Sequence, residues 1–435
     1  MDIIVSGNER VIKTMHLLQG ESEPGTVWIP SVFNYFQKTP NGYLLYNTLY
    51  NSLLRLTNVE YDKIRGKKKP GKELIKKFIS NGIFVDNGIN ERKCYEHWAK
   101  VERSVDKPYL SLNITTTLKC NARCSYCYEK GVKHKDFAKQ KLPVLMNFIT
   151  ERVSKEETLA LNWFGGEPLL NGEVFDFVTE ELSKAQRNFS SYIITNGSLI
   201  TKRLVMEEFA RWQVKDVQIT FDGMSKTYEK RKAYMDQKTG IFQRVLNKVG
   251  LVAAAGIRVH LRLNIDRENM EEILKLLRLL EERFGNTSEV TWYPAFLTGI
   301  DDDLTEAEKI NFIKRMFLTL KNPTKMNITR RIYSMPKSRA CMRNDPRSLS
   351  IDISGNIYSC EHLVGQDCEA IGNLVDFDEV ENKRRLNIGL QKECKTCVFL
   401  PKCMGGCAAN LTTNDEPCMI EKYMIQGYLA YMAEN

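Results

Sequence analysis

The stretch 120-CNARCSYC-127 places three cysteines at the spacing C-x3-C-x2-C, directly before Tyr128, Glu129 and Lys130. Three thiolates are one fewer than a tetrahedral metal site or a four-iron cluster takes from cysteine alone. Either a distant residue such as His134 completes a structural zinc knuckle, or one coordination position is left open. The segment just upstream, 109-YLSLNITTT-117, alternates apolar and polar side chains and reads as a strand. The cysteine triplet therefore follows a strand end.

Working outward, five more segments read as strands: 158-TLALNWF-164, 191-SYIIT-195, 216-DVQITF-221, 257-IRVHLRLNI-265 and 289-EVTWYPAF-296. Several of the intervening stretches have helical period, most clearly 270-MEEILKLLRLLEERF-284. Six βα units in sequence predict an α/β fold with a parallel sheet curved into a partial barrel over residues 106–310, where chemistry sits at the C-terminal strand ends. The first region, 1–105, predicts a small winged-helix-like α+β module: extended segments around 26-TVWIPSVFNYF-36, an amphipathic helix near 43-YLLYNTLYNSLLRL-56, a second helix from Glu73 and a strand at 83-IFVD-86. The last region, 311–435, begins with a bridging segment and becomes dense in cysteine and poor in long periodic segments from about residue 335. Metal–sulfur bonds are the expected organiser there.

The chain has 435 residues, 12 cysteines and a net charge of +9. It shows no signal-peptide run and no apolar stretch near the roughly 18 residues of a membrane span, so a cytoplasmic location is expected. Disulfides do not persist there, and clustered cysteines read as metal or cluster ligands. The positive charge is spread out; its sharpest run, 67-KKKPGK-72, reads as a solvated loop. Basic and aromatic residues do not interleave as on an RNA-binding sheet, so no nucleic-acid partner is expected.

The triplet at a first-strand end resembles the signature of radical S-adenosylmethionine (SAM) enzymes. The resemblance implies that Cys120, Cys124 and Cys127 hold a [4Fe–4S] cluster whose fourth iron is left for SAM. Further matches follow the later strands. The segment 164-FGGEP-168 resembles the family's GGEP, implying that Gly165, Gly166 and Glu167 receive the SAM ammonium. After the third strand, 195-TNG-197 implies Asn196 near the ribose. The turn 220-TFDG-223 resembles the family's SLDG, bringing in Asp222, with Arg231 downstream as a partner for the SAM carboxylate. Tyr126 matches the aromatic that packs on adenine, and Asn264 on the fifth strand is a further cofactor contact.

From Cys341 the chain reads C-x13-G-x4-C to Cys360, then C-x2-C-x5-C-x3-C at 394, 397, 403 and 407, with Cys418 last. This resembles the SPASM domain of radical SAM enzymes, which implies two auxiliary [4Fe–4S] clusters. Cys341, Cys360 and Cys407 would ligate the first, and Cys394, Cys397, Cys403 and Cys418 the second. The first lacks one thiolate: Cys368 is the preferred fourth ligand, an open iron is its rival, and zinc ribbons are the bland alternative. Cys94 reads as an ordinary thiol and His362 as a polar turn residue. The N-terminal module resembles leader-recognition domains of peptide-modifying enzymes, which add a leader peptide to a sheet edge.

Together these resemblances imply a maturase of ribosomally made peptides that uses SAM, three [4Fe–4S] clusters and an electron donor such as flavodoxin or ferredoxin. Abstraction of hydrogen would lead to a cross-link, carbon–carbon as in streptide-type Lys–Trp cyclisation or, alternatively, a thioether. Sulfatase-maturase-like oxidation of Cys or Ser and a non-catalytic iron–sulfur carrier are the competing readings. No general base is legible.

Overall fold

The structure is a computed structural model that describes residues 1–19, 26–105, 108–127, 134–236, 239–297, 304–326, 332, 334–339, 341–384, 390–407 and 418–435. Its central element is a nine-stranded sheet. Six strands run parallel in sequence order: β7 (Tyr109–Thr117), β8 (Thr158–Gly165), β9 (Asn188–Thr195), β10 (Val214–Phe221), β11 (Arg258–Ile265) and β12 (Val290–Phe296). Alternation along each strand separates two environments. In β7, Leu110, Leu112 and Ile114 are buried in the main core, whereas Ser111 and Asn113 on the opposite face are only half-buried. Helices close the apolar face. The helix Met270–Phe284 buries Ile273, Leu274, Leu276, Leu277, Leu280 and Phe284, the one-sided stripe its 3.6-residue period prescribes.

The C-terminal region departs from its expected poverty of regular structure. β13 (Ser348–Ile351) joins β7 in parallel, and β14 (Asn356–Tyr358) and β15 (Ala370–Asn373) extend the same sheet antiparallel. The helix Ile420–Glu434 packs on Glu306–Thr319, so closely that a Cβ on Gly427 would meet Ile313 Cγ2 at 2.5 Å. Leu349, Ile351, Ile357, Met424, Ile425 and Leu429 enter the main core. Strands of three or four residues are too short to display a period, which is why they escaped the sequence.

The N-terminal region carries a four-stranded antiparallel sheet in the order β1 (Asp2–Val5), β5 (Leu53–Thr57), β4 (Gly42–Asn47), β3 (Asn34–Thr39), and a pair formed by β2 (Trp28–Pro30) and β6 (Phe84–Asp86). The helix expected over 43–56 is absent. That stretch is the β4–β5 hairpin, turned at Asn51, whose φ is +63°. Continuous burial of 45–54 explains the misreading, because an apolar run covered on all sides carries neither helical nor strand period. The helix Lys72–Ser80 and strand β6 lie where the sequence placed them.

This region is fastened to the cysteine-rich one. Asn51 Nδ2 donates to the Ser334 carbonyl at 2.7 Å, and Tyr95 Oη to that of Lys337 at 2.7 Å. Arg92 donates to the carbonyls of Cys397 (3.1 Å) and Thr396 (2.8 Å). Buried Lys402 donates to Asn51 Oδ1 and to the carbonyls of Ile332 and Ser334. Among the described residues, no helix is long and apolar enough to cross a membrane.

Candidate active site

The cysteine loop 120–127 leaves the end of β7 and is pinned from three sides by hydrogen bonds. Gly166 N donates to the Thr117 carbonyl (3.0 Å) and Glu167 N to that of Lys119 (2.9 Å), which ties in the loop after β8. Asn121 accepts from Asn196 Nδ2 and donates to Ser198 Oγ, both at 2.8 Å, which ties in the loop after β9. Arg123 N donates to the Lys232 carbonyl (2.9 Å) and Met235 N to that of Asn121 (2.9 Å), which ties in the end of the helix Ser225–Lys232. The glycines are needed for this closeness. A Cβ on Gly165, whose φ is +130°, would stand 2.2 Å from the Thr117 carbonyl oxygen, and one on Gly166 2.5 Å from that of Lys119.

Cys120, Cys124 and Cys127 lie together on this loop, all partly exposed, and no disulfide joins any of the twelve cysteines. Burial pushes the Cys120 thiol up to about 11, and Glu167, Cys124 and Cys127 act in the same direction. Such thiols become thiolates when a metal centre supplies compensating positive charge, releasing their protons. His134, the candidate for a fourth zinc ligand, is exposed and bonded through Nδ1 to the Leu118 carbonyl.

Around the loop stand the residues that the resemblance named. Glu167 is fully buried and accepts from Thr195 Oγ1 (2.7 Å), Asn196 N (2.8 Å) and Leu169 N (3.3 Å). Burial outweighs these bonds and holds its carboxyl near 6. Asp222, fully buried, accepts from Asn264 Nδ2 at 3.3 Å. Arg231 is ion-paired with Asp266 through Nη2, so its charge is committed within the protein, while its buried Nε makes no hydrogen bond. Orphaned polar atoms in a site built by several loops fit a bound polar cosubstrate. Tyr126 is half-buried, with the Arg231 guanidinium 5.5 Å from its ring centre.

Sequence reasoning passed over Lys232. Its side chain is buried, with Nζ 2.9 Å from Tyr126 Oη and 3.3 Å from Asp222 Oδ2. In the sequence it is one of three consecutive basic residues, Lys230 to Lys232, and nothing there shows which one turns inward. Glu361 was also missed. It is half-buried next to Cys360 and accepts from Asn113 Nδ2 at 3.1 Å. The same sheet face carries Tyr192 and Tyr293, which both donate to Gln218 Oε1. Asp222 and Asp266 are matched by cations, whereas Glu361 accepts from the neutral amide of Asn113.

The C-terminal cysteines fall into two groups. Cys394, Cys397, Cys403 and Cys418 line one cavity, together with Leu400, Gly405, Gly406, Met419 and Lys422. Its four sulfur donors fit an iron–sulfur cluster. Cys360 is buried at another place; burial and Glu361 push its thiol up to about 12, with Cys341 and Cys407 near enough to add to the effect. Cys368 is exposed on a short turn, Asp367–Glu369. Among the described residues, no three of His, Cys, Asp or Glu converge tightly enough to hold a single metal ion.

Residues 114–280 match the model of the Radical SAM superfamily. The radical SAM cyclopropyl synthase TigE of Paramaledivibacter caminithermalis is 24% identical over 219 residues, 46% of this chain and 43% of that protein. A cysteine-type anaerobic sulfatase-maturating enzyme of Clostridium novyi is 22% identical over 73% of this chain and 92% of its own length. In fold, the chain is similar to anSMEcpe solved with bound AdoMet and Cp18Cys peptide (TM-score 0.59, 18% identity, 75% of this chain and 96% of that one). It is also similar to Streptococcus suis SuiB bound to S-adenosylmethionine (TM-score 0.51, 15% identity, 89% and 97%). Residues 114–280 thus form a radical SAM domain.

Proposed function

We propose that this enzyme, in the cytoplasm, matures a ribosomally made precursor peptide by removing hydrogen from an unactivated C–H and closing an intramolecular cross-link, carbon–carbon in preference to thioether. The observation that carries the reading is the bonding of residues 1–105 to the cysteine-rich region, with Arg92 on the carbonyl of Cys397, Asn51 on that of Ser334, Tyr95 on that of Lys337, and Lys402 on Asn51. A peptide-recognition module built into the same body as a second sulfur-lined site suits a substrate held at one place and processed at another. SuiB has been solved with its precursor peptide SuiA, and PqqA peptide cyclase of Granulibacter bethesdensis is 21% identical over 70% of this chain, which supports a peptide substrate. The sulfatase-maturating relative keeps Cys or Ser oxidation as the second reading.

In this reading Cys120, Cys124 and Cys127 hold the SAM-binding cluster, and two auxiliary clusters occupy the C-terminal cysteines, with Cys368 completing the Cys341, Cys360 and Cys407 set. The cluster and SAM supply a radical strong enough for an unactivated C–H. The protein's own residues do the rest. Gly165, Gly166, Glu167 and Asn196 hold the ammonium and ribose ends of SAM, with Tyr126 against the adenine and Asp222, Asn264 and Arg231 about the remaining polar groups. Cross-link closure sheds one proton and one electron from the substrate, and an auxiliary cluster bound by the C-terminal cysteines would take the electron. Glu361 receives the proton at its carboxylate, beside the auxiliary ligand Cys360. Residues 1–105 bind the leader, and a flavodoxin or ferredoxin delivers electrons.

The test is anaerobic incubation of iron-loaded protein with SAM and dithionite. The wild type forms 5′-deoxyadenosine and Cys124→Ala does not, while Cys368→Ser loses part of the auxiliary spectroscopic signal and iron content. Deoxyadenosine from Cys124→Ala would refute the triplet's role, and an unchanged auxiliary signal would remove Cys368.

A further inference from the structure

Lys232 is 4% exposed; its ammonium lies 2.9 Å from Tyr126 Oη, 3.3 Å from the Asp222 carboxylate and 6.0 Å from the Tyr228 ring centre, and its charge also acts on Cys124, Glu167 and Tyr234. Its own carbonyl accepts from Arg123 N, so main chain and side chain both grip the loop 120–127. The grip is local. Ala233, the next residue, takes φ +45° to end the helix, and this turn lets the carbonyls of Arg231, Lys232 and Ala233 all accept from the loop. A buried charge is costly unless it serves a partner. Asp222, just past the end of β10, is its counter-ion and also reaches Tyr126, while the ammonium acts on Cys124 of the loop. A positive charge beside a cluster favours the reduced, more negative state and raises its potential, and a nearby counter-ion opposes this.

We propose that Lys232 is a positioning residue that clamps the cysteine loop through Tyr126 and, by its fixed charge, raises the reduction potential of the cluster on Cys120, Cys124 and Cys127, with Asp222 tempering it. The proposal rests on those cysteines being cluster ligands. The test is an electron paramagnetic resonance titration of the reduced-cluster signal that changes on adding SAM, in the full-length, iron-loaded protein. The expected result is a shift to more negative potential in Lys232→Met, a shift to less negative potential in Asp222→Asn, and a return toward the wild type in the double variant. A purely structural role would move both single variants the same way or neither, and either outcome overturns the proposal. Should Lys232→Met fail to load iron, Asp222→Asn alone decides, and an unchanged or more negative potential refutes the charge effect. A wild type with no SAM-responsive signal would instead overturn the ligand assignment itself.

Discussion

Gly166→Ala isolates the contact on which the proposed SAM site depends. The backbone of Gly166 is not in the left-handed region, so alanine brings no conformational strain and its effect is steric. The added Cβ would lie 2.5 Å from the Lys119 carbonyl oxygen, 2.8 Å from its carbon and 3.1 Å from Cys120 Cβ. Carbon and oxygen settle at roughly 3.3 Å or beyond, so the two loops must part by most of an ångström. Overpacking of this kind costs about 1–3 kcal/mol, and the part that yields carries Cys120. If the cost falls on the state with SAM bound, affinity drops by roughly 5- to 150-fold. The assay is isothermal titration of SAM into iron-loaded protein, with iron content measured alongside. Gly71→Ala is the control, since its Cβ would meet nothing within 4 Å. SAM affinity and iron content in Gly166→Ala equal to those of the control would refute the claim that the two loops must touch for the site to form.

Two further outcomes are expected. Glu91, buried against Ser31 and the Val32 amide, has its carboxyl pushed up to about 7 by burial, so the native state keeps its proton after the unfolded chain has lost it. Its contribution to stability therefore falls as pH rises, by about 1 kcal/mol between pH 6 and 8; hydrogen exchange in the helix Glu91–Ser104 should show this slope in the wild type and lose it in Glu91→Gln. Strand β1 leaves Ile3 and Ile4 exposed at 45% and 39% on the outer edge of the N-terminal sheet; Ile3→Lys with Ile4→Lys should weaken binding of a labelled precursor peptide encoded beside the gene at least tenfold while SAM cleavage persists, and unchanged binding would move leader recognition away from that edge.

Deletion at residue 105 is a poor probe of the same idea. Tyr95, Arg92 and Asn51 bond to residues 334–397, and Leu400 and Cys394 share a core cluster with Phe33, Leu49 and Tyr50. Removing the module would strip the cover from the cysteine-rich region, so loss of activity would report unfolding as readily as lost recognition.

The six parallel strands and the helix Met270–Phe284 were legible because each carries its own period over seven residues or more, and burial on one face is a local property of the chain. The hairpin at Gly42–Thr57 was not, since burial on both faces erases the period that separates strand from helix. Nor were β13 to β15, which are too short to show one.

Sequence spacing by itself settled that three thiols lie together and which strand end carries them, because a run of C-x3-C-x2-C keeps its thiols together whatever the rest of the chain does. Only the tertiary structure decided which of three adjacent basic residues, Lys230, Arg231 or Lys232, bonds to the Tyr126 hydroxyl, and which distant cysteines share a cavity. Those are questions of where separate loops meet. No local pattern encodes that meeting; it follows from the packing of the sheet, its covering helices and the module bonded to them.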